Sequence, residues 1–149
     1  MTSISTINEF LEQKNIAVAG VSSTKQKFGN TIYKELKKQN FNVFPVNPKM
    51  ETYDDKKCYN NIKSLPDEVS AVVINTKPEI TVKILKDIYD KGIKYVWMQQ
   101  GSQNDEAIEY AKQNKLKNVQ KECIMMFANQ KGIHAFHAFL KKLFGKYPK

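Results

Sequence analysis

Apolar runs alternate with amphipathic stretches along the chain. The first apolar run, Ile16 to Ala19, is short and continuous, the pattern of a strand covered on both faces, and it stops at Gly20. Before it, residues 5–13 predict a short helix with Ile7, Phe10 and Leu11 on one side. After it, residues 30–39 predict a helix with Ile32, Tyr33 and Leu36 inward and Lys34, Lys37 and Lys38 outward. Asn40, a residue that tolerates the left-handed region, suits the end of that helix. Phe41 to Val46 predicts the second strand, and the exit Pro45-Val46-Asn47-Pro48 bars it from a central position because proline has no N–H to give a neighbour.

Residues 49–60 are polar and turn-like, with Cys58-Tyr59 as a vestigial edge strand. Asn61 to Leu65 predicts a helical turn stopped by Pro66. Val69 to Asn75 is the clearest strand in the chain. Pro78 opens a helix to about Asp90, with Ile80, Ile84, Leu85 and Ile88 on its buried side and Gly92 as its cap. Tyr95 to Gln99 predicts a strand turned by Gly101, Asp105 to Asn114 a helix, and Asn118 to Gln120 the start of a last short strand.

This β-α-β-α rhythm predicts an α/β, Rossmann-like three-layer fold: a parallel sheet of about five strands with helices on both faces. Right-handed crossovers then place the strands at 16–19 and 71–75 side by side, with their C-terminal ends meeting at a switch point where ligands bind. The 149 residues suit one domain spanning 1–149, its core at about 10–127. Residues 129–145 stand apart, with Ile133, Phe136, Leu140, Leu143 and Phe144 at helical spacing between lysines. They read as a basic amphipathic helix docked on the sheet, with a homodimer contact or a membrane surface as the sharper alternatives. His134 and His137 are expected to pack on or solvate that helix.

Charge narrows the partners. The formal net charge is +9, and all 24 basic residues are Lys. Specific reading of nucleic acid favours the planar, bidentate guanidinium of Arg, so a nucleic-acid reader is disfavoured. A basic surface for a small polyanion, or a plain compositional bias toward Lys, fits better. No apolar run approaches a membrane span and the N-terminus has no signal-peptide pattern, so the expected location is the cytoplasm. Cys58 and Cys123 show no zinc spacing and are expected to be free thiols.

Four loops should gather at one edge of the sheet. The first holds Gly20, Ser22, Ser23, Thr24, Lys25, Lys27, Gly29 and Asn30. Hydroxyls, backbone N–H groups, lysines and a helix N-terminus there suit a phosphate. It is not the dinucleotide fingerprint G-x-G-x-x-G, because Ser22 stands at the second glycine. The second holds Asn47, Pro48 and Lys49, where a dinucleotide site would place an acid for the ribose diol. Lys49 instead suits a ribose with an extra phosphate. The third holds Asn75, Thr76, Lys77 and Pro78, and the fourth Gln99, Gln100 and Gly101. None of them contains a His or a paired acid and base, so the loops read as a binding site without catalytic residues; an NAD(P)-linked redox enzyme or sensor is the alternative.

These segments together resemble the stand-alone CoA-binding domain proteins, which share the Rossmann-like CoA-binding domain of the succinyl-CoA synthetase alpha subunit and of ADP-forming acyl-CoA synthetases. The matching stretches are Ala19 to Asn30, Val43 to Lys49, Cys58-Tyr59 with Leu65-Pro66, Ala71 to Asn75 with Pro78-Glu79, Gly92 to Gly101 and Cys123 to Met126. The resemblance implies a CoA or acyl-CoA ligand lying across the strand ends. Its diphosphate would sit on Ser22, Ser23, Thr24 and Lys25, and Lys49 would approach the 3′-phosphate or adenine side. Thr76 to Pro78 and Gln99 to Gly101 would flank the pantetheine arm. Lys77 departs from the pattern, where an apolar residue is expected. Cys123 is a candidate redox thiol if it lies beside the pantetheine thiol.

Overall fold

The computed structural model describes residues 2–128; the amphipathic stretch 129–145, His134 and His137 lie outside them. In chain order the elements are α1 (Ile4–Leu11), β1 (Asn15–Ala19), α2 (Phe28–Lys38), β2 (Asn42–Val46), β3 (Thr52–Tyr53), β4 (Lys56–Lys57), a 3-10 turn η1 (Ile62–Ser64), β5 (Ala71–Ile74), α3 (Pro78–Lys91), β6 (Tyr95–Gln99), α4 (Asp105–Gln113), β7 (Lys117–Glu122) and a second 3-10 turn η2 (Ile124–Met126). Five strands form one parallel sheet in the order β2-β1-β5-β6-β7. The expected neighbours β1 and β5 pair from Ile16–Ala71 to Ala19–Ile74. The order reverses between them, so this is the switch point.

Alternation along the strands divides the core into two layers. Ile16, Val18, Val73 and Trp97 face α1 and α2, where they meet Phe10, Ile32 and Leu36. Ala17, Ala19, Val72, Ile74, Val96 and Met98 face α3 and α4, where they meet Leu85, Ile88 and Ala107. Trp97 anchors the first layer: Phe10 meets its ring edge-on at 5.4 Å, and its indole N–H donates to the Glu122 carbonyl at 3.1 Å. No helix among the described residues is long and apolar enough to cross a membrane.

The structure departs from the pattern in three places. Residues 52–57 form a hairpin, β3–β4, whose turn residues Asp54 and Asp55 have φ of 54° and 56°. Two consecutive left-handed residues make the turn that matches strand twist, but Asp-Asp is a weak signal for it compared with Asn-Gly. Cys58-Tyr59 contributes a single parallel bridge, Val46–Tyr59, beyond the edge strand β2. On α3 the buried stripe is Thr81, Val82, Leu85 and Ile88, whereas Ile80 is 48% exposed and Ile84 only partly buried. The expectation that Ile80 belongs to the buried side is therefore corrected, while Ile84, partly buried, packs against the core from the edge of the stripe.

Two glycines permit that switch point to close. Gly20 has φ +130°, and a Cβ on it would overlap the Asn75 carbonyl oxygen; a Cβ on Gly29 would overlap the Gly20 carbonyl. The ends of β1 and β5 and the first turn of α2 thus meet in backbone contact. Gly92, with φ +86° and open space around its Cβ direction, needs glycine only for its backbone. Gly29→Ala is expected to cost about 1–3 kcal/mol from overpacking alone. Gly20→Ala, which adds backbone strain, should cost about 3 kcal/mol or more, and Gly92→Ala about 1 kcal/mol. Urea unfolding of the three variants tests this ranking; equal losses would contradict it.

Candidate functional site

Parallel strands deliver their exits to one edge, and each exit is fixed by side-chain amides or hydroxyls. In the β1–α2 loop, Asn30 is 4% exposed and turned onto the loop itself. Its Oδ1 accepts from the Ser22 N–H at 2.8 Å, and its Nδ2 donates to the carbonyls of Ser22 at 2.8 Å and Thr24 at 3.0 Å. The Thr24 N–H donates to Ser22 Oγ at 3.1 Å. The loop is thus held from inside before any ligand arrives. After β2, Asn47 Nδ2 donates to the Val21 carbonyl at 2.6 Å and Asn47 Oδ1 accepts from the Lys49 N–H at 2.8 Å, joining the first two loops. After β5, the Thr76 N–H donates to Ser102 Oγ at 3.2 Å, and the Thr76 and Thr81 hydroxyls lie 3.0 Å apart.

A cavity of about 730 Å³ opens over the switch point. Of the residues expected to form the site, Gly20, Ser22, Lys27, Asn47, Pro48, Thr76, Lys77, Pro78, Gln100 and Gly101 line it. Ser23, Lys25 and Asn30 instead border a smaller hollow of about 480 Å³ on the other side of the loop, shared with Ser22, Lys34 and the β3–β4 hairpin. Thr24, Gly29, Lys49 and Gln99 line neither. Gln99 is 2% exposed; its Nε2 donates to Cys123 Sγ at 3.0 Å and its Oε1 accepts from the Ile124 N–H at 3.0 Å. Cys123 is therefore tied to the β6 end rather than to the cavity wall.

The cavity also takes in residues that the sequence pattern did not single out: Asn60, Asn61 and Ile62 from the approach to η1, Ile80, Lys83, Ile84 and Asp87 from α3, and Ser102. Asn61 caps η1 by accepting from the Ser64 N–H at 2.8 Å. Ile80 and Ile84 carried a usable signal, since their i, i+4 spacing continues to 87 and 88 and only the phase of the stripe separates wall from core.

Two helices begin at the cavity, and neither has a side-chain cap. The N-cap of α2 is Lys27 and that of α3 is Lys77, with Pro78 following. By contrast Ser3 caps α1 and Asn104 caps α4 through side-chain oxygens. A lysine at the positive end of a helix dipole is unfavourable, and a bound anion relieves both charges together. The cavity wall thus joins two uncapped helix ends and Lys27, Lys77 and Lys83 to the apolar side chains of Ile80 and Ile84. Such a wall fits a ligand with anionic and flat apolar parts. Among the described residues no cluster of His, Cys, Asp or Glu could hold a metal ion.

The fold and this site define a Rossmann-like module for a phosphorylated ligand. The chain belongs to the CoA-binding domain family, whose model matches residues 14–129. It is 31% identical over 136 residues to the ADP-forming acetate–CoA ligase of Methanocaldococcus jannaschii, covering 89% of this chain and 19% of that enzyme. The chain thus spans about a fifth or less of the length of the curated relatives it matches. Among solved structures, a conserved hypothetical protein from Pyrococcus furiosus superposes with a TM-score of 0.73 at 30% identity, covering 75% of this chain and 97% of its own. A hypothetical protein from Pyrococcus horikoshii gives 0.76 at 28% identity, covering 94% and 92%. As the resemblance implied, the chain is a CoA-binding domain akin to that of ADP-forming acetyl-CoA synthetases.

Two predictions follow from the loop supports. Asn30→Ala should cost about 2–3 kcal/mol in urea unfolding, from the lost hydrogen bonds, and should speed hydrogen exchange at the Ser22 amide; unchanged exchange there would show that the loop holds without it. The hairpin beside the loop is pinned by Lys37 Nζ to Asp54 Oδ2 at 2.6 Å, and that bond holds the Asp54 carboxyl below its ordinary value of 3.8. A depressed carboxylate stabilises the fold above its unfolded value and stops doing so as pH falls through the folded one. Asp54→Asn should therefore lower stability at neutral pH, by less than about 1 kcal/mol because both partners are exposed, and this difference should vanish as pH falls below 3.8. A difference that persists in acid would assign the effect to something other than the ion pair.

Proposed function

We propose that this chain binds CoA or an acyl-CoA as a ligand and carries out no reaction on it in this domain. The observation that carries the reading is the paired uncapped N-termini of α2 and α3, with Lys27 and Lys77 as their N-caps, opening on one cavity. CoA brings a diphosphate and a 3′-phosphate to such a wall, and a flat adenine to its apolar side. The diphosphate lies at the first loop, on Ser22 and the start of α2, where Lys27 neutralises it. The remaining anionic group is within the field of Lys77 or Lys83. The pantetheine arm runs past Thr76 and Pro78 toward Gln100 and Gly101, the exits of the next strands in the sheet.

The position of Lys25 shifts the weight within the first loop. Lys25 faces the smaller hollow, so Lys27 rather than Lys25 is the principal cation of this reading. Isothermal titration with CoA tests it. Lys27→Glu should weaken CoA roughly tenfold or more, whereas Lys86→Glu, on an exposed position of α3 away from the cavity, should leave the affinity unchanged. Absence of heat with CoA and with acetyl-CoA at about 1 mM, corresponding to roughly 4 kcal/mol of binding energy, overturns the proposal.

A further inference from the structure

The cavity wall contains a contradiction that the CoA reading alone does not explain. Its charged residues are Lys27, Lys77 and Lys83, as a polyanion requires, but also Asp87. Among the described residues this is the sole carboxylate on the wall. Lys63 Nζ, 3.8 Å from Asp87 Oδ1, balances part of that charge, and the rest is unfavourable beside a polyanion unless it meets a different part of the ligand.

Position resolves the contradiction. Ile80, Ile84 and Asp87 follow i, i+4, i+7 spacing on α3, so they descend one face of the helix away from the strand ends. From Pro78 to Asp87 the helix rises about 13 Å, at about 1.5 Å per residue. An extended nucleoside diphosphate spans a comparable distance from its phosphates to the far edge of its base. Opposite lies η1, which packs on α3 and presents Ile62 to the same cavity. Ile62 itself is buried, so the apolar surface open to a ligand is the α3 face, where Ile80, 48% exposed, is one of the few large hydrophobic side chains left open among the described residues. A planar base can lie on that face, with its polar edge toward Asp87 at the far end.

At that end, Asp87 keeps acceptor capacity. Its Oδ1 has Lys63 Nζ at 3.8 Å, beyond hydrogen-bond distance, and its Oδ2 has no partner among the described residues. A carboxylate accepts hydrogen bonds and gives none. It therefore favours a base edge that carries an amino group and disfavours one that carries a carbonyl oxygen.

We propose that Asp87 reads the base of the bound nucleotide, accepting a hydrogen bond from the exocyclic amino group of adenine lying on the cavity face of α3. The inference rests on the CoA reading and adds a specificity-determining residue to it. The test is isothermal titration with CoA and with its deaminated counterpart, in which hypoxanthine replaces adenine. The unmodified protein should prefer CoA about tenfold or more, as expected for a hydrogen bond to a charged group. Asp87→Ala should bind the two alike. Asp87→Asn, whose amide can donate to the hypoxanthine oxygen, should narrow or invert the preference. Equal binding of both ligands by the unmodified protein, or a preference that survives in Asp87→Ala, overturns the role of Asp87 while leaving CoA binding intact. No binding of CoA by the unmodified protein overturns the underlying reading as well.

Discussion

The structure depends on a backbone contact at the switch point. The C-terminal ends of β1 and β5 and the first turn of α2 come together at Gly20, Asn75 and Gly29, with no room for a Cβ at either glycine. This contact sets how close the helix start lies to the strand ends, and hence where its unpaired N–H groups point. It also brings the loop after β1 within reach of the loop after β2, so that Asn47 can bond the Val21 carbonyl. The geometry of the cavity at the start of α2 thus follows from close backbone packing at the two glycines.

Around that contact, side-chain amides perform the work of backbone. Asn30 satisfies three groups of the first loop, and Asn60 Nδ2 lies 3.2–3.4 Å from the carbonyls of Asn47, Pro48 and Met50. Gln99 bonds both the Cys123 thiol and the Ile124 amide from a buried position. Amides suit this because each offers donors and an acceptor without a charge to desolvate. Asn30 and Gln99 serve wholly as internal braces, whereas Asn47 and Asn60 brace the loops and line the cavity as well.

This division explains what the sequence disclosed. Strand and helix positions were legible because parallel strands are apolar on both faces and helix stripes repeat at a fixed period: β6 at Tyr95–Gln99 and the inward face of α2 stand where the pattern places them. The loops that gather at the site were legible for the same reason, since strand ends in a parallel sheet share an edge. The job of each polar residue was not. Asn30, Gln99 and Ser22 all stand in exits expected to face a ligand, yet only Ser22 lines the main cavity. Whether an amide turns to a ligand or to its own loop depends on which carbonyls lie within hydrogen-bond reach, and those are set by tertiary contacts such as the Gly20–Gly29 approach. Cys123 shows the same limit, because its place relative to the cavity follows from how β7 and η2 close on Gln99.

Ile80 and Ile84 show the complementary limit. Their spacing on α3 reads as core, and hydrophobic period alone cannot distinguish a stripe that packs on a sheet from one that overhangs its edge. Thr81, fully buried and paired with Thr76, takes the position that the apolar pattern assigned to Ile80. Thr81 is satisfied in place, by the Thr76 hydroxyl at 3.0 Å and the Lys77 carbonyl at 3.3 Å, so its burial costs little. Ile80 meanwhile leaves apolar surface open on the cavity wall, where an apolar part of a ligand would cover it. The phase of the stripe is thus tied to a hydroxyl pair at the β5 exit, a tertiary contact that hydrophobic period does not report.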